Sequence, residues 1–246
     1  MSLVTADILG VNVAAITMKE AVELAVQFIE KKNNAMIATA NAEMIMRATY
    51  DAELKMILNK ADLVVPDGAG TVWAANYLDC PMTERVAGFD LVQNLFKIAP
   101  QKKWRIFFLG SAPGVADKAK LKAEKDYPGI QIVGTQNGFF NDEDNDTIVK
   151  EIKKTAPNIL LAALGVPKQE KWLYKYIGQL NCPLSIGVGG TFDVMAGVMK
   201  RAPLWMQRAK LEWMFRGMMQ PRRAGRLLAL PKFVLKVRSW KKKENK

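Results

Sequence analysis

Residues 104–126 read "WRIFFLGSAPGVADKAKLKAEKD". The apolar run from Ile106 to Leu109 is too short for a buried helix. A glycine ends it, so it reads as a strand buried on both faces. Gly110 and Gly114 bound a turn, and a Lys-rich helix follows to about Asp126. The same unit recurs outward from this point. Strand "AMIATAN" (35–41) precedes a helix to about Tyr50, and Asp51 caps another to about Lys60. "DLVVPDGAG" (62–70) is strand and turn before a helix from about Thr71. "IQIVG" is a strand, a helix spans 143–155, and strand "NILLAALG" (158–165) leads to a helix opening at about Pro167. "PLSIGVGGTFDVMAG" (183–197) is the last strand and loop. Residues 3–13 form an extended start that turns near Gly10. Thr17 and Glu20 make a capping box for a helix to about Lys32. The stretch between the helix at Thr71 and the strand at 104 receives no element. Strands alternating with helices specify an α/β protein: a mainly parallel, Rossmann-like sheet with helices on both faces.

Charge divides the chain at Lys200. Residues 200–246 hold 15 Lys and Arg against Glu212 and Glu244, a formal +13 of the chain's +12. Residues 1–199 are therefore nearly neutral, with 21 bases and 22 acids. Two parts are expected: an α/β catalytic body over 1–199 and a helical, basic, amphipathic appendage over 200–246. The appendage also carries Trp205, Trp213 and Trp240, three of the six Trp. Bases mixed with large apolar groups suit a surface that is anionic outside and apolar beneath, which is phospholipid before nucleic acid.

The chain has no His, so His-based acid–base catalysis, a Ser-His-Asp triad and His-ligated metal are excluded. Cys80 and Cys182 fit no metal or redox spacing and read as buried free thiols of a reducing compartment. The start "MSLVTADILGVN" lacks the pattern of a signal peptide, and no apolar run approaches the ~20 residues of a spanning helix. A soluble or peripheral protein is expected.

Ligands of open α/β sheets lie beyond the C-terminal strand ends. That rule collects Thr39 and Asn41; Asp67; Gly110 and Ser111; Gly165, Lys168 and Gln169; and Gly189, Gly190, Thr191 and Asp193. Asp67 follows an apolar strand in a Pro-Asp-Gly turn. In a chain without His it is the leading candidate for a general base, although Asp-Gly is also an ordinary turn pair. "GSAPG" (110–114) resembles a phosphate-cradling turn but lacks the dinucleotide fingerprint and the P-loop Lys. Gly189 and Gly190 fit either a second such loop or tight packing, with Asp193 then a helix cap. Arg85 is one of three Arg before the tail and suits a planar fork for phosphate or carboxylate. "DEDND" (142–146) has the look of an Asp-x-Asp metal site. It opens a helix, where acids suit the dipole, and is read as that.

On a helix from Leu204 to Met219, Leu204, Leu211, Phe215 and Met218 share one face that docks on the body. Trp205, Met206 and Trp213 lie on another side near Lys210 and Arg216, which suits lipid. Arg222, Arg223 and Arg226 follow a break at Pro221 and suit a pyrophosphate. The closing "KVRSWKKKENK" is expected to be irregular and drawn to anionic head groups.

Taken together, "TANAEM", "PDGAG", "RVAGFDL", "FFLGSAPGVA", "GVPKQEKW", "GVGGTFDVMAGVMKRAP" and "WMQRAKLEWMFRGMMQPRR" resemble, in this order, the WecG/TagA/CpsF family of glycosyltransferases. The likeness spans residues 8–240 and is strongest to the wall teichoic acid branch. It implies a metal-independent, inverting enzyme without a cofactor. Such an enzyme moves N-acetylmannosamine from UDP-N-acetylmannosamine to undecaprenyl-diphosphate-linked N-acetylglucosamine. It works as a peripheral protein on the inner face of the cell membrane. It also implies Asp67 as base, with Thr39, Arg85 and Gln169 near the reacting groups, and a C-terminal extension that docks on the membrane and completes the site. Donor groups for the leaving diphosphate are then Gly110–Ser111, Gly189–Thr191 and tail arginines, with Arg216, Arg222, Arg223 and Arg226 as candidates. Rival expectations are a related UDP-sugar transferase (N-acetylmannosaminuronic acid or another hexose) for capsule or exopolysaccharide, and a nucleic-acid-binding protein using the tail. The tail's apolar face also fits a homo-oligomer interface. The interleaved apolar groups argue against nucleic acid.

Overall fold

The structure, a computed structural model, describes residues 3–203, 205, 206, 212, 214, 215 and 229–244. An antiparallel hairpin of β1 (Thr5–Ile8) and β2 (Val11–Ala14) turns at Gly10, as expected. A parallel sheet follows, built from β3 (Ala35–Ala40), β4 (Leu63–Pro66), β5 (Arg105–Gly110), β6 (Gln131–Gln136), β7 (Ile159–Ala163) and β8 (Leu184–Gly187). The order across the sheet is β4-β3-β8-β7-β5-β6. The helices are α1 (Met18–Lys31), α2 (Ala42–Ala48), α3 (Ala52–Lys60), α4 (Ala69–Tyr77), α5 (Gly88–Lys102), α6 (Val115–Asp126), α7 (Asn145–Thr155), α8 (Lys168–Leu180), α9 (Thr191–Met195) and α10 (Ala229–Glu244). The expected α/β class, parallel sheet and two helical layers are all present.

Successive strand residues point to opposite faces, so each apolar run feeds two cores. Ile106 and Phe108 of β5 join α1, α5, α6 and α9, where Phe108 stacks on Phe192 with ring centroids 4.6 Å apart. Phe107 and Leu109 turn to α7 and α8. Ala38 and Ala40 of β3 and Val64 of β4 face the hairpin and α2, α3, α4 and α10. Thr17 and Glu20 form the capping box of α1, and Asp51 accepts from the Leu54 N–H to cap α3. The acidic run at 142–144 is a 3-10 turn that opens α7, as the dipole argument expects.

Gly110 ends β5 at φ 124°, where an added Cβ would overlap the Ala163 carbonyl of the neighbouring strand. Left-handed strain and backbone overlap act together there. Gly110→Ala is expected to cost about 2–6 kcal/mol, read as a lowered urea midpoint.

Two elements differ from the expectation. α5 occupies the stretch left without an element. Its apolar stripe Leu91, Val92, Leu95, Phe96 and Ala99 has clear helical spacing. It lacks a start signal, since Ala87 makes no side-chain cap, and Pro100 sits in its last turn. The second is α10, which is helical through Glu244, so residues 236–244 are not irregular. Phe233 and Val237 of α10 are fully buried against α2 and α4. Lys241 pairs with Asp79 at 2.6 Å and donates to the Tyr77 carbonyl. Lys236 donates to Thr49 Oγ1 and lies 4.1 Å from the centre of the Tyr50 ring. Trp205 is exposed, but Met206 is buried, which removes it from the lipid-facing set.

Candidate active site

The Asp67 turn is built by backbone bonds. The Asp67 N–H donates to the Ala40 carbonyl at 2.9 Å, so the β3–β4 ladder runs one residue past Pro66. Buried Thr71, on the first turn of α4, donates its hydroxyl to the same carbonyl at 3.0 Å. Gly68 then turns the chain at φ 117°, a conformation that favours glycine. The Val86 N–H donates to the Pro66 carbonyl at 3.0 Å. That bond brings Arg85 to the same sheet edge as Asp67.

Three more charges, Asp90, Arg201 and Glu212, close beside them. Arg201 holds Asp90 with two bonds of 2.7 Å. Arg85 donates to Glu212 at 2.8 Å and lies 3.9 Å from Asp90. Arg201 Nε lies 3.9 Å from the other Glu212 oxygen. The Arg201 guanidinium also sits 4.7 Å from the centre of the Phe89 ring. Burial lowers the Arg201 pKa, but the Asp90 bonds and the charges of Asp90, Glu212 and Asp67 outweigh it, so the net shift is upward. Asp67, Arg201 and Glu212 line one open cleft with Gly190, Thr191 and Met199. A cleft lined by a carboxylate and an arginine, with a second arginine held to it through Glu212, can bind a small anionic ligand and take a proton from it. Sequence reasoning missed Asp90, Arg201 and Glu212. Asp90 and Arg201 stood inside two quoted motifs, "RVAGFDL" and "GVMKRAP", and each is meaningful only beside its partner.

Gln169 is buried beneath the cleft. Its Oε1 accepts from the N–H of Gly165 at 3.2 Å and of Gly189 at 3.1 Å, and its Nε2 donates to Glu170 Oε1 at 2.7 Å. It ties the loops after β7 and β8 together. Glu170 is fully buried, and Gly187 leaves no room for a Cβ above the pair. Burial pushes its carboxyl up to about 7, against the Gln169 bond that lowers it. Between the ordinary 4.5 and about 7 the folded chain keeps a proton that the unfolded chain has lost. Stability from this group is therefore full below pH 4.5 and declines as pH rises through about 7. Unfolding free energies from urea titration at pH 5 and 8 should differ by about 2–3 kcal/mol more in the parent than in Glu170→Gln. Equal pH slopes in the two would show that Glu170 is not the titrating group.

The other expected residues are engaged within the chain. Thr39 is buried and donates to the Gly187 carbonyl at 2.9 Å. Asn41 caps α2, accepting from the Met44 N–H at 2.9 Å. Thr191 donates through both its N–H and its hydroxyl to the Val188 carbonyl. Asp193 stands in the first turn of α9, and Gly190 caps that helix. Gly110 and Ser111 end β5, four strand positions from β4 or roughly 19 Å at the usual spacing. The Ser111 N–H already donates to the Ala163 carbonyl. Lys168 is exposed with its ammonium 4.6 Å from the Phe140 ring centre. Arg216, Arg222, Arg223 and Arg226 lie outside the described residues. Cys182 is buried, its thiol pushed up to about 12 by burial, whereas Cys80 is only partly buried.

The Glycosyl transferase WecG/TagA/CpsF family model matches residues 6–246, nearly the whole chain. The chain belongs to the WecG/TagA/CpsF family. It is therefore a glycosyltransferase. Among WecG/TagA/CpsF relatives, it is similar to the N-acetylglucosaminyldiphosphoundecaprenol N-acetyl-beta-D-mannosaminyltransferase of Bacillus spizizenii (strain ATCC 23059 / NRRL B-14472 / W23). The two are 36% identical over 210 residues, 85% of this chain and 81% of the relative. A like-named protein of Staphylococcus aureus (strain MW2) is 35% identical over 242 residues, 98% of this chain and 94% of the relative. Among the described residues no helix is long and apolar enough to cross a membrane.

Proposed function

We propose that this chain transfers N-acetylmannosamine from UDP-N-acetylmannosamine to undecaprenyl-diphosphate-linked N-acetylglucosamine, with inversion and without a metal, in wall teichoic acid linkage-unit synthesis. The observation that carries the reading is a carboxylate, Asp67, set at a strand end in one cleft with Arg201 and Glu212, the latter holding Arg85. The relatives' names specify acceptor and product. A β-linked product made from an α-linked nucleotide sugar requires inversion.

In the proposed step the acceptor hydroxyl oxygen bonds to the anomeric carbon as the bond from that carbon to the diphosphate oxygen breaks. The hydroxyl proton passes to the Asp67 carboxylate. Negative charge grows on the leaving UDP and is received by Arg201, which lines the cleft, and by Arg85, held to it through Glu212. Gln169 acts through the Gly189 backbone, as a positioning residue. The tail arginines Arg216, Arg222, Arg223 and Arg226 complete the diphosphate site, and the basic face of the tail docks on the anionic inner leaflet. The test is turnover of a panel of UDP-sugars with a short-chain diphosphate-linked N-acetylglucosamine. The reading expects UDP-N-acetylmannosamine to be used best. Preference for N-acetylmannosaminuronic acid or another hexose would move the chain to a capsule or exopolysaccharide role.

A further inference from the structure

Glu212 belongs to the C-terminal segment, yet its carboxylate is buried in the cleft of the body. One oxygen accepts from Arg85 at 2.8 Å, and the other lies 3.9 Å from Arg201 Nε. One carboxylate thus bridges two guanidinium groups, as two oxygens of a diphosphate would. The fit is incomplete. Arg201 Nε is buried and, among the described residues, has no hydrogen-bond partner. A buried donor left unmet is costly and marks a place for a ligand with more acceptors than a carboxylate offers.

We propose that Glu212 is an internal stand-in for a diphosphate. It occupies the Arg85–Arg201 pair in the unliganded chain and gives way when a diphosphate binds, freeing the segment around it. The idea rests on the transferase reading only for the diphosphate's origin, which is either the nucleotide or the lipid carrier. Displacing Glu212 satisfies Arg201 Nε and lets the segment that follows Lys200 rearrange around the bound substrate.

Calorimetric titration of the full chain with inorganic pyrophosphate, UDP and farnesyl diphosphate tests this. Glu212→Gln keeps the shape and removes the competing charge. It is expected to bind pyrophosphate about 5- to 30-fold tighter, with Glu212→Asp between it and the parent. The larger gain of UDP or farnesyl diphosphate then identifies the source. Unchanged or weaker binding in Glu212→Gln would overturn the proposal, because an acid that merely organises the arginines should weaken binding when lost. Failure of parent and variant to bind any of the three would overturn it too. A second readout needs no variant: saturating pyrophosphate should speed tryptic cleavage between residues 200 and 216 of the parent, and protection or no change counts against the exchange. A tightening seen in a chain that turns over no UDP-sugar would sink the transfer reading and leave this one standing.

Discussion

Asp67→Asn is expected to lower turnover by about 10²- to 10⁴-fold, the usual contribution of a positioned general base, while UDP affinity stays close to that of the parent. Asn keeps the shape of the side chain and tolerates the turn. The bonds that build the turn come from the backbone: Asp67 N–H to Ala40, and Val86 N–H to Pro66. The substitution therefore removes the proton acceptor without moving Arg85. Two measurements read it, single-turnover transfer and UDP titration. A loss in kcat with intact UDP binding identifies the base. Near-normal kcat would remove Asp67 from that role, and a matched loss of UDP binding would make it a binding group instead.

A chain ended at Ala196 should lose turnover by at least about 100-fold, the scale for removing one charge stabiliser from a site, and should no longer bind anionic vesicles. The cut removes Arg201, which holds Asp90 at 2.7 Å, and Glu212, which holds Arg85 at 2.8 Å. It also removes α10. Phe233 and Val237 leave apolar seats on α2 and α4, and Leu230 leaves the first turn of α4 at Gly70, three residues beyond Asp67. Burying each such side chain is worth about 1.5–3 kcal/mol, so a net loss of about 3 kcal/mol lowers Tm by roughly 6–12 °C. Calorimetry, vesicle flotation and a transfer assay check the three parts. Full activity on a lipid-linked acceptor would refute the role given to the tail. Unchanged Tm would show that α10 adds nothing to the body.

Legibility followed range. Asp67 was readable because everything that marks it is local: apolar β4 before it, Pro66 and Gly68 around it, and no His elsewhere to compete for the role. Thr17, Glu20 and Asp51 were readable as caps for the same reason. The stripe of α5 was equally local but has no polar cap to announce it, so the helix went unread. Arg201 and Asp90 are 111 residues apart, and Arg85 and Glu212 are 127 apart. No spacing rule reaches that far. The tail's excess positive charge drew attention to its bases, yet the described tail residue that joins Arg201 in the cleft is an acid, Glu212.

By itself the sequence determined a series of strand–turn–helix units, hence a parallel sheet covered on both faces, with its polar residues gathered at one edge. The physical reason is periodicity. A short apolar run bounded by glycine is stable chiefly as a buried strand, and a parallel neighbour requires a crossover helix. Only the tertiary structure decided which strand ends meet. The order β4-β3-β8 puts Asp67, Thr39 and the Gly189–Thr191 loop side by side and leaves Gly110 and Ser111 farther along the sheet. It also decided that Glu212 sits between Arg85 and Arg201, because a crossover can land on any open edge and a buried charge takes whichever partner the packing brings within reach.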